Sequence, residues 1–143
     1  MIKIYTDGAC KGNPGEGGWG ALIVEGKTNK EIYGGEKNTT NNRMELMAVI
    51  EALSIIVHKN NIIVYTDSTY VQKGISEWII NWKRNGWKSS NKKPVKNKDL
   101  WIKLDELNNT MSIDYQWIKG HAGHAENERA DHLANLGVNH SST

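Results

Sequence analysis

Ile62-Ile63-Val64-Tyr65-Thr66-Asp67-Ser68 is an apolar run of strand length that closes on a carboxylate. Ile4-Tyr5-Thr6-Asp7-Gly8 repeats that ending near the N-terminus. Between the two runs the hydrophobic period changes. Leu46, Ile50, Leu53 and Val57 recur at helical spacing in NRMELMAVIEALSIIVHKN, with Val49 and Ile56 beside them, which predicts a largely buried helix. Strand, helix and strand in that order make a right-handed crossover, so the two Asp-terminated strands are expected as parallel neighbours. Asp7 and Asp67 would then lie side by side at their carboxyl ends, where ligands of such sheets tend to sit.

The elements outward from this pair fit one sheet. IKIYTDGA, GGWGALIVEG and KEIYGGEK read as an antiparallel meander, with Gly12-Asn13-Pro14-Gly15 and Gly17-Gly18 as turn chemistry. After the second Asp-terminated strand, STYVQKGI and EWIINWKR read as two short helices and GWKSSNKKPVK as a loop. NKDLWIKLDELNN follows as an amphipathic helix, SIDYQWIKG as a fifth strand, and GHAENERADHLANLG as a last helix ended by Gly137. The fold class is α/β. A mixed five-stranded sheet is expected, with strands one to three antiparallel, strands one, four and five parallel, and helices flanking it. One domain is expected over 1–137, with a flexible tail over 138–143.

The composition narrows the class. The chain has 143 residues, of which 38% are hydrophobic and 24% charged, as in a globular domain and unlike a disordered tail. No apolar run approaches the roughly 20 residues of a membrane span. No signal-peptide core is seen at the N-terminus. A single cysteine, Cys10, excludes an intramolecular disulfide and a Cys-built zinc finger. A reducing, cytoplasmic setting is the expectation.

Two further carboxylates come into question. Glu45 stands among Met44, Leu46 and Met47 near the start of the first long helix, and Asp131 stands inside the last helix. Each acid has an ordinary alternative role. Asp7 and Asp67 suit turn or helix caps, Glu45 suits a capping box begun by Asn42, and Asp131 suits a solvated helix face. Four carboxylates brought to one spot would repel one another unless they held cations, and oxygen ligands without cysteine select Mg²⁺ or Mn²⁺. His121, with glycine on both sides, suits a proton carrier beside such a site.

The net charge of +2 hides an uneven distribution. From Trp78 to Lys98 there are seven basic residues and no acid: Lys83, Arg84, Lys88, Lys92, Lys93, Lys96 and Lys98. Trp78, Trp82 and Trp87 are interleaved with them, and Trp78 and Trp82 share a helix face. Lysines that bind phosphates and indoles that pack on sugars or bases point to nucleic acid. A solvated charged face explains the lysines but not the tryptophans. Trp101 and Trp117 read instead as core residues.

The motifs YTDGACKGNPG, TTNNRMELMA, YTDSTYV and KGHAGHAENERAD, in this order and spacing, resemble prokaryotic-type ribonuclease HI, a type 1 ribonuclease H. NWKRNGWK followed by KKPVKNKDLW extends the resemblance over nearly the whole chain. It implies a monomeric endonuclease that hydrolyses the RNA strand of RNA–DNA hybrids. Two Mg²⁺ ions are implied during catalysis, with Mn²⁺ as a substitute, and the implied products end in 3′-hydroxyl and 5′-phosphate. By position, Asp7, Glu45, Asp67 and Asp131 match the family's metal-binding carboxylates, and His121 matches a mobile histidine assisting proton transfer or product release. Asn13, Asn41 and Glu45 match contacts to RNA 2′-hydroxyls, and Thr40 and Asn97 match a pocket for a DNA-strand phosphate. Trp78 and Trp82 match a helix along the DNA strand, and Lys83, Arg84, Lys88, Lys92 and Lys93 belong to its basic protrusion. Departures from the pattern of some members are Thr69 in place of Gln, Asn38 in place of a basic residue, and Ala125 in place of Pro. No N-terminal hybrid-binding module is expected. Two rival readings are a hybrid-binding module without catalysis and a transposase- or resolvase-like DNA nuclease.

Overall fold

The computed structural model describes residues 1–57, 61–89, 91–119 and 124–139. Three long strands, β1 (Ile2–Gly12), β2 (Gly15–Glu25) and β3 (Thr28–Thr39), form the antiparallel meander. Helix α1 (Asn41–Ser54) crosses to β4 (Ile62–Thr66), which pairs with β1 in parallel, Ile2 opposite Ile62 and Tyr5 opposite Tyr65. Helices α2 (Thr69–Lys73), α3 (Ile79–Arg84) and α4 (Lys98–Thr110) lead to β5 (Ile113–Trp117), which is parallel to β4. Helix α5 (Ala125–Asn139) closes the chain. The strand order is β3-β2-β1-β4-β5, the mixed five-stranded α/β sheet expected from the sequence.

Strand alternation divides the core between the two faces of the sheet. Ile4, Ala21, Ile23 and Val64 pack with Leu46, Val49, Ile50 and Leu53 of α1 and with Trp101 and Leu104 of α4. Trp19 completes that face against Met44 and Ala48. The neighbours of Trp19 in β2, Gly18 and Gly20, point the other way and receive α5. A Cβ on Gly18 would lie 2.2 Å from Ala134 O and from Val138 N, so this helix lies on nearly bare backbone.

This close approach corrects two expectations. Gly17-Gly18 is not a turn but part of β2. Gly137 does not end the last helix, which continues to Asn139 with Val138 buried. A side chain at Gly137 would meet Gly34 O at 2.1 Å, so this glycine serves packing, not termination. The segment expected as a tail, 138–143, therefore begins inside α5, and residues 140–143 lie outside the described residues.

Three more expectations change. Helix α1 stops at Ser54, and Val57 is 83% exposed, so the helical spacing overran the element by a turn. The two short helices after β4 are joined without a break by a π-helical turn, Gly74–Trp78. Trp101 is fully buried, as expected, but Trp117 is 44% exposed and does not belong to the core. Among the described residues, no helix is long and apolar enough to cross a membrane.

Candidate active site

The β1–β4 ladder ends with Tyr5 opposite Tyr65, and Asp7 and Asp67 each stand two residues beyond that pair. Tyr5 and Tyr65 stack below them with ring centroids 4.8 Å apart. Asp67 directly follows β4, and the residue after it, Ser68, caps α2 by accepting from Val71 N–H at 3.1 Å. The capping role is thereby filled by the serine and not by the aspartate. Beside them the indole N–H of Trp117 donates to the main-chain oxygen of Asp67 at 3.1 Å.

Glu45 enters from α1. The cap of this helix is Thr40, whose hydroxyl oxygen accepts from Arg43 N–H at 3.2 Å, so the capping box begun by Asn42 does not form. Glu45 is only 4% exposed. Its Oε1 accepts from Gly8 N–H at 2.7 Å, and the same N–H lies 2.9 Å from Asp7 Oδ1. Among the described residues, its Oε2 is buried with no hydrogen-bond donor.

Asp7, Glu45 and Asp67 each place one carboxylate oxygen within 4.8 Å of the others'. Asp131, half-buried on α5, lines the same open cavity of about 370 Å³. Burial is the main cause that raises the Asp7 pKa to about 7; the charge of Asp67 and contact with Asp131 add to it, against hydrogen bonding that lowers it. Burial and the charge of Asp7 likewise push Glu45 well above the usual carboxylate range. An orphaned buried carboxylate oxygen, facing other carboxylates, fits a hard divalent cation by its donor chemistry.

Of the expected substrate contacts, Asn41 and Glu45 line this cavity. Asn13 Oδ1 accepts from Asn41 N–H at 3.2 Å, which brings the two asparagines together at the start of α1. Asn97 stands at the start of α4 and donates through Nδ2 to Tyr70 Oη at 3.2 Å. Trp78 and Trp82 are half-buried and adjacent, with centroids 5.8 Å apart. With Asn81, Asn85, Lys88 and Ser89 they line an open surface groove. Trp82 also packs on Trp101, so it belongs partly to the groove and partly to the core. Arg84, Lys88, Lys92 and Lys93 are exposed, whereas Lys83 is paired with Asp105 at 3.2 Å. His121 lies outside the described residues.

Asn42, which the sequence offers only as a helix cap, lines the cavity with Ser68 and Tyr70, and Gly8 N–H joins two of the carboxylates; the sequence singles out none of these four for the site. The available signal was position alone, since each adjoins a singled-out residue or lies within three places of one. Sequence reasoning also passed over Arg43, which links α1 to α4 through Asp99.

Comparisons with known proteins converge on one family. The family model described as RNase H matches residues 1–139. The Ribonuclease H of Janthinobacterium sp. (strain Marseille) is 63% identical over 137 residues, which cover 96% of this chain and 95% of that protein. The Ribonuclease H of Ralstonia nicotianae is 62% identical, with 96% and 91% covered. Among solved structures, LC9-RNase H1, a type 1 RNase H with the type 2 active-site motif, superposes with a TM-score of 0.87 at 32% identity, covering 99% of this chain and 73% of that one. LC11-RNase H1 in complex with RNA/DNA hybrid gives 0.66 at 26% identity, with 97% of each chain covered.

Proposed function

The chain belongs to the ribonuclease H family, and on that premise we propose that it is an endonuclease hydrolysing the RNA strand of RNA–DNA hybrids with two Mg²⁺ ions. The observation that carries this reading is the convergence of Asp7, Glu45 and Asp67, with a buried Glu45 oxygen that has no hydrogen-bond partner among the described residues. LC11-RNase H1, solved with such a hybrid, supports the substrate class.

Asp7, Glu45, Asp67 and Asp131 would hold the ions, with Mn²⁺ as a substitute. When bound, a pair of divalent ions supplies an activated water and charge stabilisation at the leaving oxygen, which gives 3′-hydroxyl and 5′-phosphate ends. The chain's own residues position the substrate. Asn13 and Asn41, with Glu45, read the RNA 2′-hydroxyls, the mark that separates RNA from DNA. Thr40 and Asn97 take a DNA-strand phosphate. Trp78 and Trp82 support the DNA strand, and Lys83, Arg84, Lys88, Lys92 and Lys93 add phosphate contacts that carry no sequence information. Lys83 shares its charge with Asp105 and contributes least. His121 moves a proton or assists product release. Thr69 offers a shorter side chain than the Gln of some relatives, Asn38 lacks a basic charge, and Ala125 gives a looser start to α5 than Pro. The enzyme works as a monomer in the cytoplasm, with a catalytic domain that takes in all of α5, to Asn139.

The test is cleavage of strand-labelled RNA–DNA hybrid, duplex DNA and duplex RNA, each with Mg²⁺ or with chelator. Cutting of the RNA strand of the hybrid alone, and only with Mg²⁺, is expected. Equal cutting of duplex DNA would transfer the protein to the DNA-nuclease class, and binding without cutting would make it a hybrid-binding module.

A further inference from the structure

Asn97 holds an uncommon backbone conformation, with φ at +58°, and its side chain makes no capping bond to its own helix. Asparagine tolerates this region better than most residues with a side chain. The amide is turned instead toward two other elements. Its Oδ1 faces Arg43 Nη1 at 3.5 Å, and its Nδ2 donates to Tyr70 Oη at 3.2 Å. A guanidinium only donates, so the oxygen belongs on the Arg43 side and the nitrogen on the Tyr70 side.

Both partners are themselves fixed. Arg43 makes two bonds to Asp99, at 2.8 and 3.1 Å, and one to Glu36 at 3.2 Å. Tyr70 Oη accepts a second hydrogen bond, at 3.0 Å, from the indole N–H of the fully buried Trp101. The Tyr70 ring is wedged between Trp78 and Trp101, with centroids 5.7 and 5.4 Å away. Its hydroxyl is thus anchored from the core and aimed at Asn97.

The charges decide what this arrangement offers to an anion. Two carboxylates already neutralise Arg43, so recognition there falls to neutral donors. Nδ2 carries two hydrogens, and Tyr70 takes one of them. The second has no acceptor among the described residues and remains for a phosphate oxygen. Were the amide reversed, its oxygen lone pairs would face the phosphate instead.

We propose that Tyr70 is a positioning residue, whose hydroxyl holds the Asn97 amide with its nitrogen presented to a DNA-strand phosphate. This rests on the phosphate role given to Asn97 above. It also gives the tyrosine on α2 a function distinct from that of Asp67 three residues earlier, because it acts on binding and not on the hydrolytic step.

The experiment is steady-state cleavage of RNA–DNA hybrid by the full chain and by Tyr70→Phe, Asn97→Ala and the double variant. Circular dichroism and melting confirm that each is folded; Phe keeps the ring between the two tryptophans. Tyr70→Phe is expected to raise KM roughly 2- to 12-fold, the span of one net hydrogen bond, with kcat within about twofold of the parent. The double variant should have the KM of Asn97→Ala. A neutral methylphosphonate scanned along the DNA strand should raise the parent's KM at one position, and there Tyr70→Phe should add nothing. Additive KM effects, or an unaltered KM in Tyr70→Phe while Asn97→Ala raises it, overturn the inference alone. An unaltered KM in Asn97→Ala overturns the phosphate role of Asn97 and the inference with it.

Discussion

Gly8 donates its main-chain N–H to Glu45 Oε1 at 2.7 Å, which ties β1 to α1 at the point where the carboxylates gather. The contact is possible because Gly8 has no side chain. A Cβ there would lie 2.6 Å from Glu45 N and 2.9 Å from Met44 C, both backbone atoms that yield only if the helix moves.

Gly8→Ala should therefore push α1 away from β1. A loss of roughly 1–3 kcal/mol in unfolding free energy is expected, as for other overpacked cores. Cleavage should fall at least about 100-fold, because misplacement by about 1 Å costs that much. Urea unfolding and turnover measured together check this, and a variant equal to the parent in both would show that the contact is not needed.

The raised pKa values set the sign of a pH effect in metal-free protein. Asp7 and Glu45 are both easier to protonate when folded than when unfolded. The stability they contribute is full below their ordinary range near pH 4 and is lost as pH rises through about 7 for Asp7. Melting with chelator should thus show Asp7→Asn gaining on the parent between about pH 5 and pH 8. Mg²⁺ should raise the parent's melting temperature more at pH 8 than at pH 5, and raise that of Asp7→Asn less. A parent that gains on Asp7→Asn with rising pH would reverse the sign.

Trp117 steadies Asp67 from outside the core. Trp117→Phe removes the N–H that reaches the Asp67 carbonyl while keeping an aromatic ring. Because Trp117 is half-exposed, water replaces the bond and stability should change by less than about 1 kcal/mol. Mg²⁺ affinity should fall roughly 10-fold, as for lost outer contacts of metal ligands. Calorimetric titration of the metal checks it, and parental affinity would remove Trp117 from the site.

Lys88, Lys92 and Lys93 should bind phosphate and be screened by salt. Each lost phosphate contact reduces the salt slope of binding by roughly 0.7–0.9. The triple alanine variant should bind hybrid more weakly and with a flatter slope, while Trp82→Ala should weaken binding with the slope nearly unaltered. Isotherms across a salt series, with Ca²⁺ in place of Mg²⁺, distinguish the two. A triple variant with the parent's slope would move the substrate to another surface.

What was legible in the sequence is local and periodic. The echoed endings at Asp7 and Asp67 gave the parallel pair because a strand's period and its terminal residue lie within one short run. Glu45 stayed ambiguous, because a cap at Asn42 and a cap at Thr40 differ only in the tertiary path of β3 into α1. Glycine punctuates turns and helix ends locally, but Gly18 and Gly137 open space between a sheet and a helix more than a hundred residues apart in sequence, and Gly17 gives room to Thr39 and Met44 on the other face. The exposure of Trp117 was likewise invisible, since it follows from the strand's place at the sheet edge and not from its own pattern.

The most direct test of the central claim, that these carboxylates hold the divalent ions which cut RNA, is product analysis of a hybrid labelled on both strands, with the parent and Asp7→Asn. With Mg²⁺ the parent should yield RNA fragments ending in 3′-hydroxyl and 5′-phosphate and leave the DNA strand whole, while chelator or Asp7→Asn should leave both strands whole. RNA cleavage that persists with chelator, or at the parental rate in folded Asp7→Asn, would contradict it.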